Sequence, residues 1–404
     1  MKHFCLLLII TSAAWAQAAL SLKEAVREAL ASHPLLAASA ARVAASEGLR
    51  TQAALRPNPR FILQTENLRA WGAPSFSFSQ EADAFAYVSQ LVETAGKRAR
   101  RVEAASANLV RAGLERELLA RQIAARVKLA YWIALAAEKG RDLLEENAKT
   151  FQQMVEYHEL RVREGAMAEA DLLRIRLEAE RLALDASSAA LAADRACIQL
   201  LREMGRVQFD PVAFSEPLES LGDLPPPDPA RALQDRTEMK LARTAVEQNR
   251  ALLRLQQAAW KPDLDFSFGY KRATGFDTLL GGVSVDLPAA NRNQGNITAA
   301  EREVRAAEAD LAAAEALVRA EVAAALRDFE IRRRQVLQAL PSLRDKAQDS
   351  SRISLAAYRV GGTDLLRLLD SERTRIEVQL LYFRTLADYQ QSRVALETAL
   401  GVAP

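Results

Sequence analysis

The chain has 404 residues, with 54 Lys and Arg against 52 Asp and Glu, a formal net charge of +2. A balance this close to neutral argues against a nucleic-acid partner. With only two Cys and three His, a disulfide framework and a Cys-based metal site are excluded. No nucleophile–base pair, cofactor loop or metal-ligand cluster is present, so the sequence implies no catalytic residue, no cofactor and no metal site.

At the N-terminus, Lys2 and His3 precede an apolar run from Leu6 to Ile10 that continues through Ala13, Ala14 and Trp15. Ala16-Gln17-Ala18 is an A-x-A-like cleavage site, so residues 1–18 are expected to be a cleavable signal peptide of an exported chain. Cys5 lies within this expected signal peptide, leaving Cys197 as the one thiol of the processed chain, read as a small apolar residue on a helix. No later run reaches the ~18 apolar residues of a membrane-spanning helix.

Proline then marks out the helices. None of the 14 prolines falls between Ser75 and Asp210, in 289–340 or in 342–403. A proline inside a helix costs ~3 kcal/mol, and these gaps are rich in Ala, Leu, Arg and Glu, so long helices are expected there. The predicted helices are 21–55, 97–162, 169–204, 229–260, 297–359 and 364–400, with Pro341 kinking the fifth. The Pro-rich stretch 221–229 reads as an extended linker.

Four short pieces alternate with period 2 instead. In 263–272, Leu264, Phe266, Phe268 and Tyr270 share one face, with Asp263, Asp265, Ser267 and Lys271 on the other. A second strand is predicted at 281–287, and weaker ones at 60–68 and 84–92, the last with Phe85, Tyr87, Ser89 and Leu91 on one face. Their lengths suit tilted strands crossing a bilayer.

The halves match each other. Arg56-Pro57 corresponds to Lys261-Pro262 at an offset of 205, which also places Met239 opposite Pro34. Gly165 corresponds to Gly361, and Leu172-Leu173 to Leu368-Leu369, at an offset of 196. The smaller offset implies a shorter loop in the second hairpin, about 273–278, than in the first, about 69–83. The expected organisation is a first repeat at 19–220, the linker, and a second repeat at 230–404. Each repeat reads helix, strand, loop, strand, long helix, tip and helix. At ~1.5 Å per residue, 97–162 is about 100 Å long, and each pair of shorter helices placed end to end matches it. Leu369, Ile376 and Phe383 recur every seven residues, with Leu366, Leu380 and Val394 as a companion seam, the pattern of coiled-coil packing.

Exposed Phe and Tyr on an open sheet would aggregate, and closure into a barrel removes the problem. Four strands are too few to close, so several chains must share one barrel, and three would give twelve strands.

At this point the chain resembles the TolC family of outer-membrane efflux channels. The segment from Ser89 to Arg98, which includes Gly96-Lys97-Arg98, is similar to the strand-to-helix signature of the heavy-metal-efflux, CzcC/CusC-like branch. The segment from Leu287 to Gly295 is similar to the second-half signature of that branch. Arg163-Glu164-Gly165 with Asp171-Leu172-Leu173 resembles the first helical tip, and Tyr358 to Thr363 with Leu366, Leu369 and Asp370 resembles the second. The resemblance implies a mainly α fold with a small β part. That fold is an α-helical barrel of long antiparallel coiled-coil helices, with four strands per chain entering a shared, trimeric, 12-stranded transmembrane β-barrel. It implies a homotrimer in the outer membrane lipid, with a large periplasmic part. It also implies docking to a periplasmic adaptor protein and an inner-membrane RND-type pump. The expected function is a passive exit duct for such a pump, for heavy-metal cations among other cargo. The alternatives are the channel of a type I protein secretion system and a soluble periplasmic coiled-coil scaffold.

Candidate sites follow. Gly165 and Gly361-Gly362 sit where two helices must reverse, which needs φ > 0. With Val360 and Thr363 they are either turn geometry alone or the exposed adaptor-docking tips, near 163–168 and 360–363. Asp364 and Asp370 would become carboxylate rings under three-fold symmetry, and Arg367 and Arg373 are candidates to pair with them in a periplasmic gate. Asp364 is equally suited to an N-cap. Gly96, Lys97, Arg98, Asn291, Arg292 and Gly295 mark the strand-to-helix junctions as backbone breaks with polar groups. Asp263, Asp265, Asp286 and Lys271 read as a wetted lumen. His158 has no ligand partner one helical turn away.

Overall fold

The computed structural model describes residues 19–69, 71–72, 76–221 and 228–402; the predicted signal peptide and most of the predicted linker lie outside them. In chain order the elements are α1 (Leu22–Ser32), α2 (Pro34–Ala53), β1 (Arg60–Glu66), α3 (Phe78–Glu81), β2 (Asp83–Val92), α4 (Lys97–Arg163) and α5 (Glu169–Glu203). They continue with α6 (Pro229–Asp235), α7 (Thr237–Ala259), β3 (Leu264–Ala273), β4 (Phe276–Val285), α8 (Gln294–Arg334), a π-helical segment (Gln335–Ala339), α9 (Leu340–Arg359) and α10 (Leu365–Leu400). Among the described residues no helix is long and apolar enough to cross a membrane.

Two predicted helices are each split. A capping box at Ser21 and Glu24 starts α1, and His33 ends it with extended backbone, as a residue before proline must. The second repeat breaks at Arg236 in the same conformation without a proline. Its guanidinium holds Glu238 at 2.9 Å, and the Thr237 hydroxyl donates to Glu117 at 3.0 Å. The residue that opens the helix after each break is Pro34 or Thr237. Met239, predicted as the counterpart of Pro34, lies inside α7 and is buried.

The helix ends obey the duplication more closely. Gly165, Gly205, Gly361 and Gly401 all have φ between 70° and 80°. After each, the next residue's N–H reaches back five positions: Ala166 to Arg161, Arg206 to Leu201, Gly362 to Ala357 and Val402 to Glu397, at 2.8–3.0 Å. The kink predicted at Pro341 takes the form of the π-helical segment just before it. One extra residue in the turn accommodates a proline that cannot donate to the carbonyl four residues back.

The strands form one antiparallel sheet in the order β1-β2-β3-β4. β4 begins at Phe276, five residues before the predicted start, because Thr274-Gly275 is a two-residue turn with both φ positive, 47° and 82°. The predicted loop at 273–278 is therefore mostly strand. Phe276–Gly282 lacks clean alternation and carries two glycines, which hid it. β1 ends at Glu66, two residues early, where Asn67 turns to φ 59°.

The chain divides into two compact units, and each sequence repeat contributes to both. One unit comprises residues 1–34, 120–229 and 321–404. Its core packs Leu144, Phe151 and Val155 of α4 against Ile175 and Leu182 of α5 and against Leu365, Leu369 and Ile376 of α10. Leu369 and Ile376 hold the predicted seam. Leu366 does not, being 59% exposed while its neighbour Leu365 is buried. A second cluster centres on Tyr131, whose hydroxyl donates to the Leu20 carbonyl at 2.8 Å and whose ring meets Phe214 edge-on. The other unit, 35–119 and 230–320, contains the sheet.

Candidate functional site

The sheet has two chemically different faces, fixed by its register. Phe61 of β1 lies opposite Val88, which lies opposite Phe268, and Leu63 is similarly in line with Ala86, Tyr270 and Leu279. These side chains are largely solvent-exposed, with Phe61, Phe268 and Leu279 at 68%, 65% and 75%. A face this apolar and this open has no counterpart in a water-facing sheet.

Ser89, Asp265, Ser267 and Lys271 lie on the opposite face. Phe85 and Tyr87 belong here too: Phe85 pairs with Lys271 and Tyr87 with Gly269. The aromatics of β2 therefore do not share a face with Phe268 and Tyr270; the apolar face of β2 is built from Ala84, Ala86, Val88 and Val92. Phe85, Tyr87, Ser89 and Leu91 do share one face, as expected, and it is the face of Asp265, Ser267 and Lys271. Lys271 sits 5.2 Å above the Phe85 ring, and a Cβ on Gly269 would collide with the Tyr87 backbone at 2.4 Å.

All four strands meet the helices at one end of the sheet, and there the polar residues form a network. Asp263, expected to be a lumen residue, lies before β3 and accepts the Thr94 N–H at 2.9 Å and the Lys97 ammonium at 2.8 Å. Asp265 accepts Ser89 at 2.5 Å and Arg60 at 3.1 Å. A cleft of about 590 Å³ opens beside them, lined also by Trp260, Asp286 and Asn291.

The backbone breaks at Ala95-Gly96, φ 56° and 69°, and at Asn293, φ 59°. Gly96 was among the predicted junction residues. Gly295 was too, but it lies inside α8 with open space around it, and the residue that turns the chain is Asn293. Asn is one of the few side chains that tolerate this conformation. Asn291 accepts the Asn293 N–H at 3.0 Å, fixing the turn, while Arg292 donates its own N–H to Gln294 at 2.7 Å.

Both junctions also cap the helix that precedes them in space. Arg98 donates to the Ala54 carbonyl at 2.6 Å, and Arg101 to those of Ala53 and Leu55 while gripping Glu93. Asn293 donates to the Gln256 carbonyl at 2.9 Å. The orphan carbonyls ending α2 and α7 are thus satisfied from the starts of α4 and α8. Arg101 and Asn293 were not singled out by the sequence, and Asp263 was read only as a lumen residue. The signal for them was the offset that pairs Gly96 with the Asn291–Asn293 stretch.

At the tips, Gly165 and Gly361 supply the positive φ expected of them, whereas Gly362 does not. Val360 is 83% exposed; Gly362 is exposed and Thr363 half-buried. Asp364 accepts the Arg367 N–H at 2.9 Å, a helix N-cap. Arg373 pairs along its own helix with Glu377 at 3.0 Å, not with either aspartate. Asp364, Arg367, Asp370 and Arg373 are all exposed.

The tip is held from inside instead. His158 is 3% exposed; its Nδ1 lies 2.8 Å from the Met154 carbonyl and its Nε2 3.0 Å from the Tyr358 hydroxyl, tying α4 to α9. The Met154 carbonyl can only accept, so Nδ1 carries a proton and donates to it, while Nε2 shares a hydrogen bond with the Tyr358 hydroxyl. Burial pushes the Tyr358 hydroxyl above its usual pKa. One level up the hairpin, Ser351 donates to Glu372, which accepts from Arg375, which reaches Asn147 at 2.5 Å. Among the described residues no group of three His, Cys, Asp or Glu is placed to hold a metal.

Residues 229–402 match the family described as outer membrane efflux protein. The chain is 23% identical over 385 residues to the cobalt-zinc-cadmium resistance protein CzcC of Cupriavidus metallidurans, covering 95% of this chain and 90% of that one. It is 28% identical over 309 residues to the nickel-cobalt-cadmium resistance protein NccC of Alcaligenes xylosoxydans xylosoxydans, covering 75% and 68%. Among solved structures, CusC, described in terms of transmembrane channel formation, superposes with a TM-score of 0.79 at 18% identity over 98% of this chain and 96% of that one.

Proposed function

We propose that the chain, whose residues 229–402 match the outer membrane efflux protein family and whose fold superposes on that of CusC, is the exit duct of a tripartite RND-type pump, passing heavy-metal cations from the periplasm to the exterior. The observation that carries this reading is the sheet. One face is apolar and exposed, the other more polar, and the outer edges of β1 and β4 are unpaired among the described residues. Three copies pairing β1 to β4 would close twelve strands, with the Phe61–Phe268 face toward lipid and the Ser89–Lys271 face toward water. The cargo assignment rests on the names of the two resistance proteins. A duct needs to pass ions without retaining them, and salt-bridged carboxylates such as Asp263 and Asp265 suit that role better than free ones.

The tips at Gly165 and at Val360, Gly361, Gly362 and Thr363 would meet the periplasmic adaptor, which links the duct to the pump. Asp364 and Asp370 would ring the periplasmic entrance, with Asp364 also serving as the cap. Asn keeps the cap and removes the charge, so D364N with D370N separates the two roles. Cation selectivity of single channels in planar bilayers should fall without loss of folding; unchanged selectivity removes these residues from the gate.

The decisive experiment is the mass of the detergent-extracted complex from fractionated cells. Three chains recovered from the outer-membrane fraction are expected. A monomer in the soluble periplasmic fraction would overturn the duct.

A further inference from the structure

The duplication extends to the strands and, through them, to the open edges of the sheet. Arg60 pairs with Ser89 in the first repeat. Its counterpart at the offset of 205 is Asp265, which pairs with Ser284 in the second. Ser89 and Ser284 are therefore counterparts, and the residues beside them agree. Phe61 answers to Phe266, and their strand partners Val88 and Val283 answer to each other. The two hairpins are joined through β2 and β3, where Leu91 lies opposite Asp265, Gln90 opposite Phe266 and Val88 opposite Phe268.

In that joint β4 is the counterpart of β2, and β1 of β3. A second copy laying its β1 along β4 would repeat the joint. Carried across residue by residue, Asp286 then lies opposite Arg60, Val285 opposite Phe61 and Val283 opposite Leu63. The four apolar residues all fall on the apolar face, as a shared sheet demands. A slip of two residues would preserve the faces but set Asp286 opposite Asn58 or Ile62. The register that the duplication selects is the one that brings opposite charges together.

Both charges are open to such a partner. The Arg60 side chain is 71% exposed and gives one nitrogen to Asp265 at 3.1 Å. Of the three carboxylates on the junction cleft, Asp263 is held by Lys97 and Asp265 by Arg60. Asp286 is exposed and makes no ion pair among the described residues. We propose that a second copy of this chain docks its β1 on β4 in the register that sets Arg60 of one copy against Asp286 of the next. Each guanidinium then bridges Asp265 of its own chain and Asp286 of its neighbour. This inference rests on the reading of the sheet as one third of a shared barrel, and it adds the register and the ion pair that join the copies.

The test places one cysteine on each edge strand of the full chain, in a Cys197→Ser background, and follows disulfide formation in outer-membrane fractions. Within one chain the two edges stand three strand spacings apart, about 14 Å, beyond disulfide reach, so any link joins two copies. Phe61→Cys with Val285→Cys, and Leu63→Cys with Val283→Cys, should link rapidly. The slipped pairings, Phe61→Cys with Val283→Cys and Leu63→Cys with Val285→Cys, should link about tenfold more slowly. Asp286→Asn should slow the link between positions 63 and 283 about threefold at low salt, and Asp286→Glu should retain its rate. Faster linking of a slipped pairing overturns the register, and an unchanged rate in Asp286→Asn overturns the ion pair, while the shared barrel stands in both cases. No link in any of the four pairings overturns the register and the shared barrel together.

Discussion

Glu28 and Arg206 show how a helix-end turn places an ion pair. Gly205 turns the chain at the end of α5 and brings Arg206 back against α1, where its guanidinium holds the Glu28 carboxylate at 2.6 and 2.7 Å. Gly205 is required for a second reason: a Cβ there would meet Pro34 at 2.9 Å, at the break after α1. The hydrogen bonds from Arg206 hold Glu28 below its ordinary value of 4.5, so the folded state favours the charged form. The stabilisation is complete above that value, where the unfolded chain is ionised too. It is lost as pH falls through the lower folded value. Glu28→Gln should therefore lower the thermal midpoint at pH 7, and the gap to wild type should shrink below about pH 4.5. Both partners are about a third exposed, so the effect is on the order of 0.5–1 kcal/mol. A gap that widened in acid would contradict this account.

At the scale of elements, the long helices were legible because proline gaps and helix-forming composition act locally. The tip glycines were legible because a reversal demands positive φ. What was not legible depended on partners distant in the chain. The facing of Phe85 and Tyr87 is set by pairing with Lys271 and Gly269 of β3, 186 and 182 residues away, and no property of β2 alone decides it. Asn293 acts through Gln256, and Asp263 through Thr94 and Lys97, each from another element. The π-helical segment was visible only as Pro341. Its extra residue makes a specific prediction. Deleting Leu337, which is 48% exposed, with Pro341→Ala should convert the segment to α-helix and leave both flanks in phase. Deleting Ala324, also exposed but within regular α8, should rotate everything beyond it by about 100° relative to the buried stripe. The first variant is expected to assemble as wild type does in the detergent-extracted mass measurement, and the second to fail. Equal failure of both would mean that the π turn is needed for itself.

For the whole molecule, the unresolved demand is the two open sheet edges. An unpaired edge beside an exposed apolar face invites further strands, and two edges on one chain allow either a closed ring or an unlimited stack. The polar face argues for closure, since a ring gives that face an enclosed aqueous lumen and removes every edge. Register decides which positions can be joined: Phe61 and Leu63 on β1, and Leu279 and Val283 on β4, all lie on the apolar face. In a Cys197→Ser background, cysteines placed singly on each of these two edge strands should oxidise between chains without disturbing the network on the other face. For a closed ring the cross-linked ladder ends at three chains, and full oxidation converts the smaller species into that product. Bands above three would mean open-ended pairing, and no cross-link at any β1–β4 combination would mean that the edges are met by something other than another copy of this chain.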